Sequence, residues 1–220
     1  MPSRLDTVKI IPHPTAMDDT PHHHGNLREA LIVAGTQLLN EGGIAGLTLR
    51  RAAARAGVSH AAPAHHFAGL PGLLTAIATR AFQQFCTTLK TTRDASPPDP
   101  MSRLIGTTAG YLAFAQDHVG LFHLMFLSTE VDRSDPDLAK AAAYAYQLLR
   151  DACLPFSATG APDETLEIAV WSMVHGYALL EFTRPPQHRR PIAHTPEFAA
   201  LLSRLLDGHA KPLAPTPDLR

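Results

Sequence analysis

The chain has 220 residues, of which 45% are hydrophobic and 18% are charged, and this balance excludes a disordered protein. Its two cysteines, Cys86 and Cys153, lie far apart and provide neither a disulfide framework nor a paired-thiol zinc motif. No apolar run is long enough for a membrane span, and no basic segment followed by an apolar block opens the chain. We therefore expect a cytoplasmic protein.

The net charge of −1 conceals a difference between two parts of the chain. Residues 26–93 carry seven basic and two acidic side chains, whereas residues 94–220 carry ten basic and fifteen acidic ones. A basic N-terminal part beside an acidic body suits a head that binds DNA. Chance clustering of charges on solvated faces would give the same distribution.

The N-terminal residues 1–25 contain five prolines or glycines and no helical period, which predicts a mobile arm. We expect no specific metal site at the histidine triplet, residues 22–24, within this arm. A first helix follows, because apolar residues from Leu27 to Leu38 recur at spacings of four, three and four. Two glycines at residues 42 and 43 end this helix.

Two short helices joined by a glycine turn are predicted next. Thr48 and Ser59 are the candidate N-caps of these helices. Ala53 stands four residues before Gly57, and a small side chain followed by a glycine turn lets two helices pack closely at a steep angle. This pattern is typical of a helix-turn-helix, whose second helix enters the major groove. A helical hairpin without a DNA role would contain the same turn.

The second short helix, predicted over residues 59–67, carries polar side chains near its start. Helix N-termini are electropositive and have free N–H groups, so the starts of both short helices can hold phosphates. The candidate DNA-contacting residues are Thr48, Arg50, Arg51, Ser59, His60, Ala61, His65 and His66. Pro63 removes only the hydrogen bond to the Ser59 carbonyl, so we expect this helix to survive with a slight bend.

Beyond a predicted turn at residues 69–72, proline-marked breaks divide the rest of the chain into helices. These are expected over residues 73–95, 101–117, 119–128, 136–153, 163–183 and 196–209. Asp135 and Thr195 each precede a proline and are the best-signalled N-caps. No stretch shows a sustained strand-like alternation, so the predicted fold is all-α. It comprises a three-helix helix-turn-helix domain at residues 26–72, a helical ligand-binding and dimerisation domain at 73–210, and a tail at 211–220.

The last two predicted helices are apolar over most of their circumference, so they are buried on more than one side. They can pair with their copies across a two-fold axis, although both faces could also be the core of a monomer. Aromatic side chains with a few polar groups among them predict a small-molecule pocket, and plain core would show the same stripes. The candidate pocket residues are Phe114, Phe122, Met125, Phe126, Tyr144, Trp171 and His175.

Signatures of catalysis are missing from the sequence. We find no nucleophile elbow, no glycine-rich phosphate loop, no HExxH motif and no supported pair of carboxylates. His118, His123 and His175 do not have the spacing of a known metal-ligand set. We therefore expect no enzyme activity, no cofactor and no metal.

Residues 27–82 resemble the N-terminal domain of the tetracycline-repressor (TetR) family in the order and spacing of their residues. The matching positions are Ala30, Leu38, Gly43, 47–50, Ala53, 56–59, 66–67 and 73–74. Residues 171–176, with the sequence Trp-Ser-Met-Val-His-Gly, resemble the C-terminal signature of one branch of the family, as do residues 111–115 and 121–126. The resemblance implies a dimeric regulator, usually a repressor, that a small molecule releases from DNA.

Two residues of the head depart from the family pattern. Ala64 stands where the family usually has a tyrosine, and Leu70 stands where it usually has a lysine, and both usual residues contact phosphates. Each lost contact should lower the salt dependence of binding by about one unit of slope. A helical ligand-binding protein with a degenerate head is therefore the alternative. The expected partners are double-stranded DNA, a small-molecule effector and a second copy of the chain, without a membrane.

Overall fold

The computed structural model describes residues 22–182 and 197–209. All regular structure in these two ranges is helical, which confirms the predicted all-α class. The α-helices are α1 (His22–Gly42), α2 (Leu49–Arg55), α3 (Gly69–Asp94), α4 (Pro100–Asp117), α5 (Val119–Phe126), α6 (Pro136–Cys153), α7 (Glu164–Glu181) and α8 (Phe198–His209). Short 3₁₀ helices lie at Ile44–Gly46, Ala62–His65 and Leu154–Phe156.

Helix α1 begins earlier than the sequence pattern indicates. Its first residue is His22, so the predicted end of the arm at residue 25 falls inside the helix. Residues 1–21 and the side chains of the histidine triplet lie outside the described residues. The predicted end of the helix is confirmed, because Gly43 has a φ of 63° and donates its N–H to the Leu39 carbonyl at 2.8 Å.

Residues 59–67, here called the recognition segment, form a 3₁₀ turn instead of the predicted α-helix. Pro63 explains the difference, because it has no N–H to donate to the Ser59 carbonyl. That carbonyl instead accepts the N–H of Ala62 at 3.1 Å, and Ala64 donates to Ala61 at 3.2 Å, so the three-residue pattern continues. The predicted capping role of Ser59 is wrong, since the residue before this 3₁₀ helix is Ala61 and no side chain caps it.

Residues 69–72 were predicted as a turn and are instead the first turn of α3. Gly69 has a φ of 71°, which lets the chain enter the helix sharply. Pro71 is tolerated because the first-turn N–H groups have no partner inside a helix. Thr75 donates its hydroxyl to the Pro71 carbonyl at 2.8 Å. The predicted domain boundary between residues 72 and 73 therefore falls inside α3, which continues from the head into the body.

Two glycines let α3 and α4 pack with their backbones in contact. A β-carbon at Gly110 would lie 2.9 Å from the Leu89 Cα, and one at Gly106 would lie 2.9 Å from the Thr92 carbonyl oxygen. Side chains at these positions would separate the two helices. The close contact brings the aromatic residues of α3 and α4 together at the centre of the body.

Helix bounds in the body follow the predictions closely. Helix α6 spans the predicted residues 136–153, and Asp135 caps it by accepting the Leu138 N–H at 2.9 Å. Asp99 caps α4 in the same way, through the N–H of Ser102 at 2.9 Å. Thr195, the predicted cap of the last helix, lies outside the described residues.

Both cysteines are buried in the helical body. Burial raises the pKa of the Cys86 thiol in α3 to about 11. Burial, together with the charges of Glu167 and Asp163, raises the pKa of the Cys153 thiol at the end of α6 to about 12. Both thiols are therefore protonated at neutral pH. Within the described ranges, no helix combines the length and the apolar character that crossing a membrane requires.

Candidate DNA interface and ligand pocket

The helix-turn-helix is built around a small side chain and a glycine. Thr48 caps α2 by accepting the Arg51 N–H at 3.2 Å, as predicted. Ala53 is fully buried where α2 meets the rest of the head. Gly57 has a φ of 71°, and Val58 donates its N–H to the Ala53 carbonyl at 3.0 Å. These contacts direct the chain away from α2 and into the recognition segment.

The recognition segment has one buried side and one exposed side. Pro63 and Phe67 are buried and attach the segment to the head. The exposed side contains the predicted contact residues Ser59, His60, Ala61 and His65, while His66 is half-buried. The segment therefore presents its polar groups to solvent and is not covered by other helices in the described part of the chain.

Three arginines of α2 have different surroundings. Arg50 is exposed and makes no ion pair with any described residue. Arg51 donates to the Gly46 carbonyl, which holds its guanidinium next to the start of α2. Arg55 pairs with Glu41 through two hydrogen bonds of 2.7 Å, and this contact lowers the pKa of the Glu41 carboxyl and raises the pKa of Arg55. The charge of Arg55 is thus already balanced, whereas that of Arg50 is available.

Sequence analysis missed another cation of the head. Arg28 of α1 is exposed, and its guanidinium carbon lies 5.4 Å from the centre of the Phe67 ring. Its position beside the recognition segment could not be inferred from spacing, because the two residues are far apart in the chain. The departures from the family pattern are also visible: Ala64 is exposed, and Leu70 packs partly buried against the core.

An apolar cavity of about 200 Å³ lies between α3, α4, α6 and α7. Of the predicted pocket residues, Phe126 and Trp171 line it. Phe114, Phe122 and Met125 are buried in the core beside it, and Tyr144 is 47% exposed and lines a separate groove. The remaining lining residues are Phe82, Phe85, Leu89, Thr107, Thr108, Tyr111, Arg133, Ala142, Ala145, Tyr146, Leu149 and Val174.

His175, the last predicted pocket residue, lies behind the cavity wall. Its Nδ1 is 2.6 Å from the Tyr111 hydroxyl, and its ring stacks on Phe122 with centroids 5.3 Å apart. Burial lowers the pKa of His175 and so favours the neutral ring. A neutral ring protonated on Nε2 can accept a hydrogen bond from the Tyr111 hydroxyl at Nδ1. Burial also raises the pKa of that hydroxyl, which therefore remains a donor.

A buried carboxylate was missed altogether. Glu167 of α7 is 1% exposed and accepts a hydrogen bond from the Tyr146 hydroxyl at 2.6 Å and from Arg150 at 3.3 Å. Its other oxygen, Oε1, has no hydrogen-bond partner among the described residues. A signal was present in the sequence, because Glu167 continues the buried stripe of Val170 and Val174 at helical spacing.

The segment before α6 connects the body to α3 close to the head. The N–H of Asp132 donates to the Thr75 hydroxyl oxygen at 3.0 Å. The next residue, Arg133, lines the apolar cavity. A short stretch of chain therefore contacts both the cavity and the part of α3 adjoining the recognition segment.

Comparison with known proteins identifies a domain match in the C-terminal part of the chain. Residues 104–208 match the model of the tetracyclin repressor-like C-terminal domain. No curated protein sequence gives a significant match. The assignment to one branch of the family, made from residues 171–176, stays a prediction.

Solved structures share the overall fold. A protein of unknown function from Rhodococcus sp. RHA1 is 25% identical with a TM-score of 0.66, and the alignment covers 86% of this chain and 96% of that one. The TetR family transcriptional regulator PfmR from Thermus thermophilus is 18% identical with a TM-score of 0.55, covering 80% of this chain and 94% of that one. The multidrug binding protein EbrR, complexed with imidazole, is 20% identical with a TM-score of 0.56, covering 94% and 100%. The domain match shows that residues 104–208 are similar to the tetracyclin repressor-like C-terminal domain, and the whole chain shares its fold with these solved structures.

Proposed function

We propose that the protein is a cytoplasmic, ligand-responsive repressor that binds a palindromic operator as a homodimer. The observation that carries this proposal is the recognition segment, whose buried Pro63 and Phe67 hold a row of polar side chains out to solvent. A major groove accepts such a protruding element and reads it through side chains near its start. In this proposal residues 26–72 are the DNA-binding unit, and the helices beyond them bind ligand and dimerise.

The proposed DNA contacts divide into two kinds. Thr48, Arg50 and Arg51 lie at the start of α2, where free N–H groups and positive charge suit phosphates. Ser59, His60 and Ala61 begin the recognition segment and are assigned to base edges. His65 and His66 lie one turn later and are assigned to base edges as well. Arg28, held over the Phe67 ring, adds a further cation beside this surface.

The proposed dimer uses α7 and α8. Ile168 of α7 is a large apolar residue that is 47% exposed. Gly176, two turns further along, has no heavy atom of the described residues within 4 Å of the position of a β-carbon, so the surface there can accept a neighbouring helix. Two such helices from each copy can form a four-helix interface around a two-fold axis. A palindromic site requires the two heads that this axis relates.

Selection of bound duplexes from a random pool, followed by footprinting, tests the proposal. We expect an inverted repeat contacted in successive major grooves. His60→Ala should change the preferred bases, while Arg50→Ala should weaken all sequences alike and lower the salt slope by about one. Arg55→Ala is the matched control: because Glu41 balances its charge, it should alter the slope less. Loss of neither affinity nor base preference in the His60 and Arg50 variants would refute this interface.

A second candidate function rests on Ala64 and Leu70, which supply no side-chain donor to a phosphate. A helical ligand-binding protein with a degenerate head would bind small molecules without binding DNA. Salt-sensitive binding of duplex DNA by the purified protein eliminates this candidate. Ligand binding with no DNA binding at low salt would instead establish it.

A further inference from the structure

The cavity between α3, α4, α6 and α7 selects its ligand mainly by shape and apolar contact. Six of the residues that line it are aromatic: Phe82, Phe85, Tyr111, Phe126, Tyr146 and Trp171. Its volume of about 200 Å³ is below the ~300–1,000 Å³ typical of pockets for drug-sized molecules. A ligand that fits is therefore compact and mostly apolar.

The threonine and tyrosine hydroxyls inside the cavity donate to protein groups, and the indole N–H of Trp171 hydrogen-bonds to the Tyr111 hydroxyl, so none of these donors is left for a ligand. The hydroxyls of Thr107 and Thr108 donate to the carbonyls of Arg103 at 2.9 Å and Leu104 at 3.1 Å. The Tyr146 hydroxyl donates to Glu167 at 2.6 Å, and the Tyr111 hydroxyl lies 2.6 Å from His175 Nδ1. An anionic group placed deep in the cavity would lose its hydration without gaining a hydrogen bond, which is costly.

Arg133 is different from the rest of the wall. Among the described lining residues it alone is charged, and it is exposed. Its one hydrogen bond to a described residue goes to the Ser128 carbonyl at 3.4 Å, which leaves most of its guanidinium donors available within that part of the chain. The neighbouring Asp132 carboxylate forms no ion pair with Arg133 and instead accepts from the N–H and hydroxyl of Ser134 at 2.9 and 2.6 Å.

We propose that the effector is a compact apolar monocarboxylate whose hydrocarbon part fills the cavity and whose carboxylate lies at the mouth on Arg133. This inference rests on the proposed function only in assuming that the cavity is the effector site. The fork of the guanidinium matches the two oxygens of a carboxylate, and the exposed mouth lets the anion keep part of its hydration. An aromatic or aliphatic tail without further polar groups satisfies the interior.

Glu167 is the feature that could favour a ligand of opposite charge. It lies behind Tyr146, held by that hydroxyl and by Arg150, and does not line the cavity. Arg150 forms an ion pair with Glu167, and this pair offsets part of the negative charge that a ligand in the cavity would experience. Arg133 therefore determines the charge preference, and a cationic probe tests this directly.

Three probes that share one tail separate the alternatives: 3-phenylpropionate, 3-phenylpropan-1-ol and 3-phenylpropylammonium, titrated by calorimetry into the full chain. We expect the carboxylate to bind about fivefold more tightly than the alcohol, with the ammonium weakest. Arg133→Gln should remove the advantage of the carboxylate and leave the alcohol unchanged. Lys140→Gln, which removes a positive charge from α6 outside the cavity, should preserve the order of the three affinities.

Ala142→Phe reports where the probes bind. Ala142 lines the cavity and is half-buried, so a phenyl ring there occupies the ligand's space while the helix remains folded. All three probes should then lose affinity together. Equal affinity for the three probes, tighter binding of the ammonium, or no measurable binding of the carboxylate overturns the proposal.

Retardation of duplex DNA by the same preparation distinguishes the two failures. If DNA binds and the carboxylate shows no advantage, the ligand class is wrong and the regulator stands. If no duplex binds at low salt, the proposed function fails whatever the probes do.

Discussion

Tyr111 and His175 are a hydrogen-bonded pair that makes stability depend on pH. Burial lowers the pKa of His175 below its unfolded value of about 6.5, so the unfolded chain takes up a proton more readily than the folded one. The stability contributed by the neutral ring is complete above this pH and is lost as the pH falls towards the lower, folded pKa. The pair therefore favours the folded state at neutral pH.

Urea unfolding at pH 7.5 and 5.5 measures this dependence. The wild-type midpoint should fall at the lower pH, and His175→Gln should remove the part of that fall due to this ring. Tyr111→Phe deletes a hydrogen bond that only the neutral ring can accept but keeps the ring buried, so it should lower stability more at pH 7.5 than at pH 5.5 and leave the part of the pH dependence that burial causes. An equal pH dependence in the wild type and His175→Gln would show that another group is responsible.

Helix caps and pocket residues show what the sequence could predict at the residue scale and what it could not. Thr48 and Asp135 were identified as caps because capping is a local property of one side chain and the next turn. Phe114, Phe122 and Met125 were assigned to a pocket but are core, since helical spacing cannot separate a cavity wall from a filled interior.

Loops carry even less information. Arg133 was missed because a residue outside a helix has no periodicity to indicate which surface it faces. Arg28 and Phe67 meet only through the tertiary fold.

At the scale of elements, the crossing of α3 and α4 depends on glycine. A methyl group at Gly110 would lie 2.9 Å from the Leu89 Cα and 3.0 Å from the Thr88 carbonyl oxygen, and backbone atoms cannot move aside as a side chain can. Gly110→Ala should lower the free energy of unfolding by about 1–3 kcal/mol, measured by urea denaturation. Gly42→Ala is the matched control, because no heavy atom lies within 4 Å of its β-carbon position. Equal stability of Gly110→Ala and the wild type would contradict the close packing.

Elements were predictable in kind and mostly in length. Helix α6 was predicted to the residue because a cap and a proline mark its start. The recognition segment was predicted as an α-helix and contains a 3₁₀ helix. The loss of the i−4 hydrogen bond at Pro63 changes the whole turn and does not merely bend it. The prediction of a turn at residues 69–72 was wrong because a proline and glycines can also begin a helix, as they do in α3.

At the scale of the whole molecule, Thr75 connects the cavity to the head. Its hydroxyl oxygen accepts the N–H of Asp132, next to Arg133 in the cavity wall. Thr75→Val keeps the side-chain shape and removes the hydrogen bond. Ligand and DNA should each still bind, but the change in DNA affinity caused by ligand should be reduced.

Titrating operator DNA with and without ligand gives this coupling as a ratio of two dissociation constants. Thr79→Val is the control, because its hydroxyl bonds only to the Thr75 carbonyl within α3. An unchanged ratio in Thr75→Val would show that the signal takes another path.

The proposed dimer predicts a second effect at this scale. Ile168→Glu places charges facing each other at the two-fold interface and should convert the dimer to a monomer that keeps its helical content. Sedimentation velocity reports the mass, and operator affinity should fall with it. Val33→Glu changes an equally exposed apolar residue, 44% exposed on α1, and should leave the mass unchanged. A dimeric Ile168→Glu variant would move the interface elsewhere.

The two buried thiols have a consequence for how the protein meets oxidants. A protonated sulfur inside a packed helix is a poor nucleophile, so peroxides and alkylating reagents should modify Cys86 and Cys153 only after the surrounding helices have opened. Oxidants would therefore not act on these thiols in the folded protein. The alkylation rate of each thiol should therefore report local opening of the helix that buries it. The rate at Cys86 should follow the opening of α3, and the rate at Cys153 should follow the opening of the end of α6.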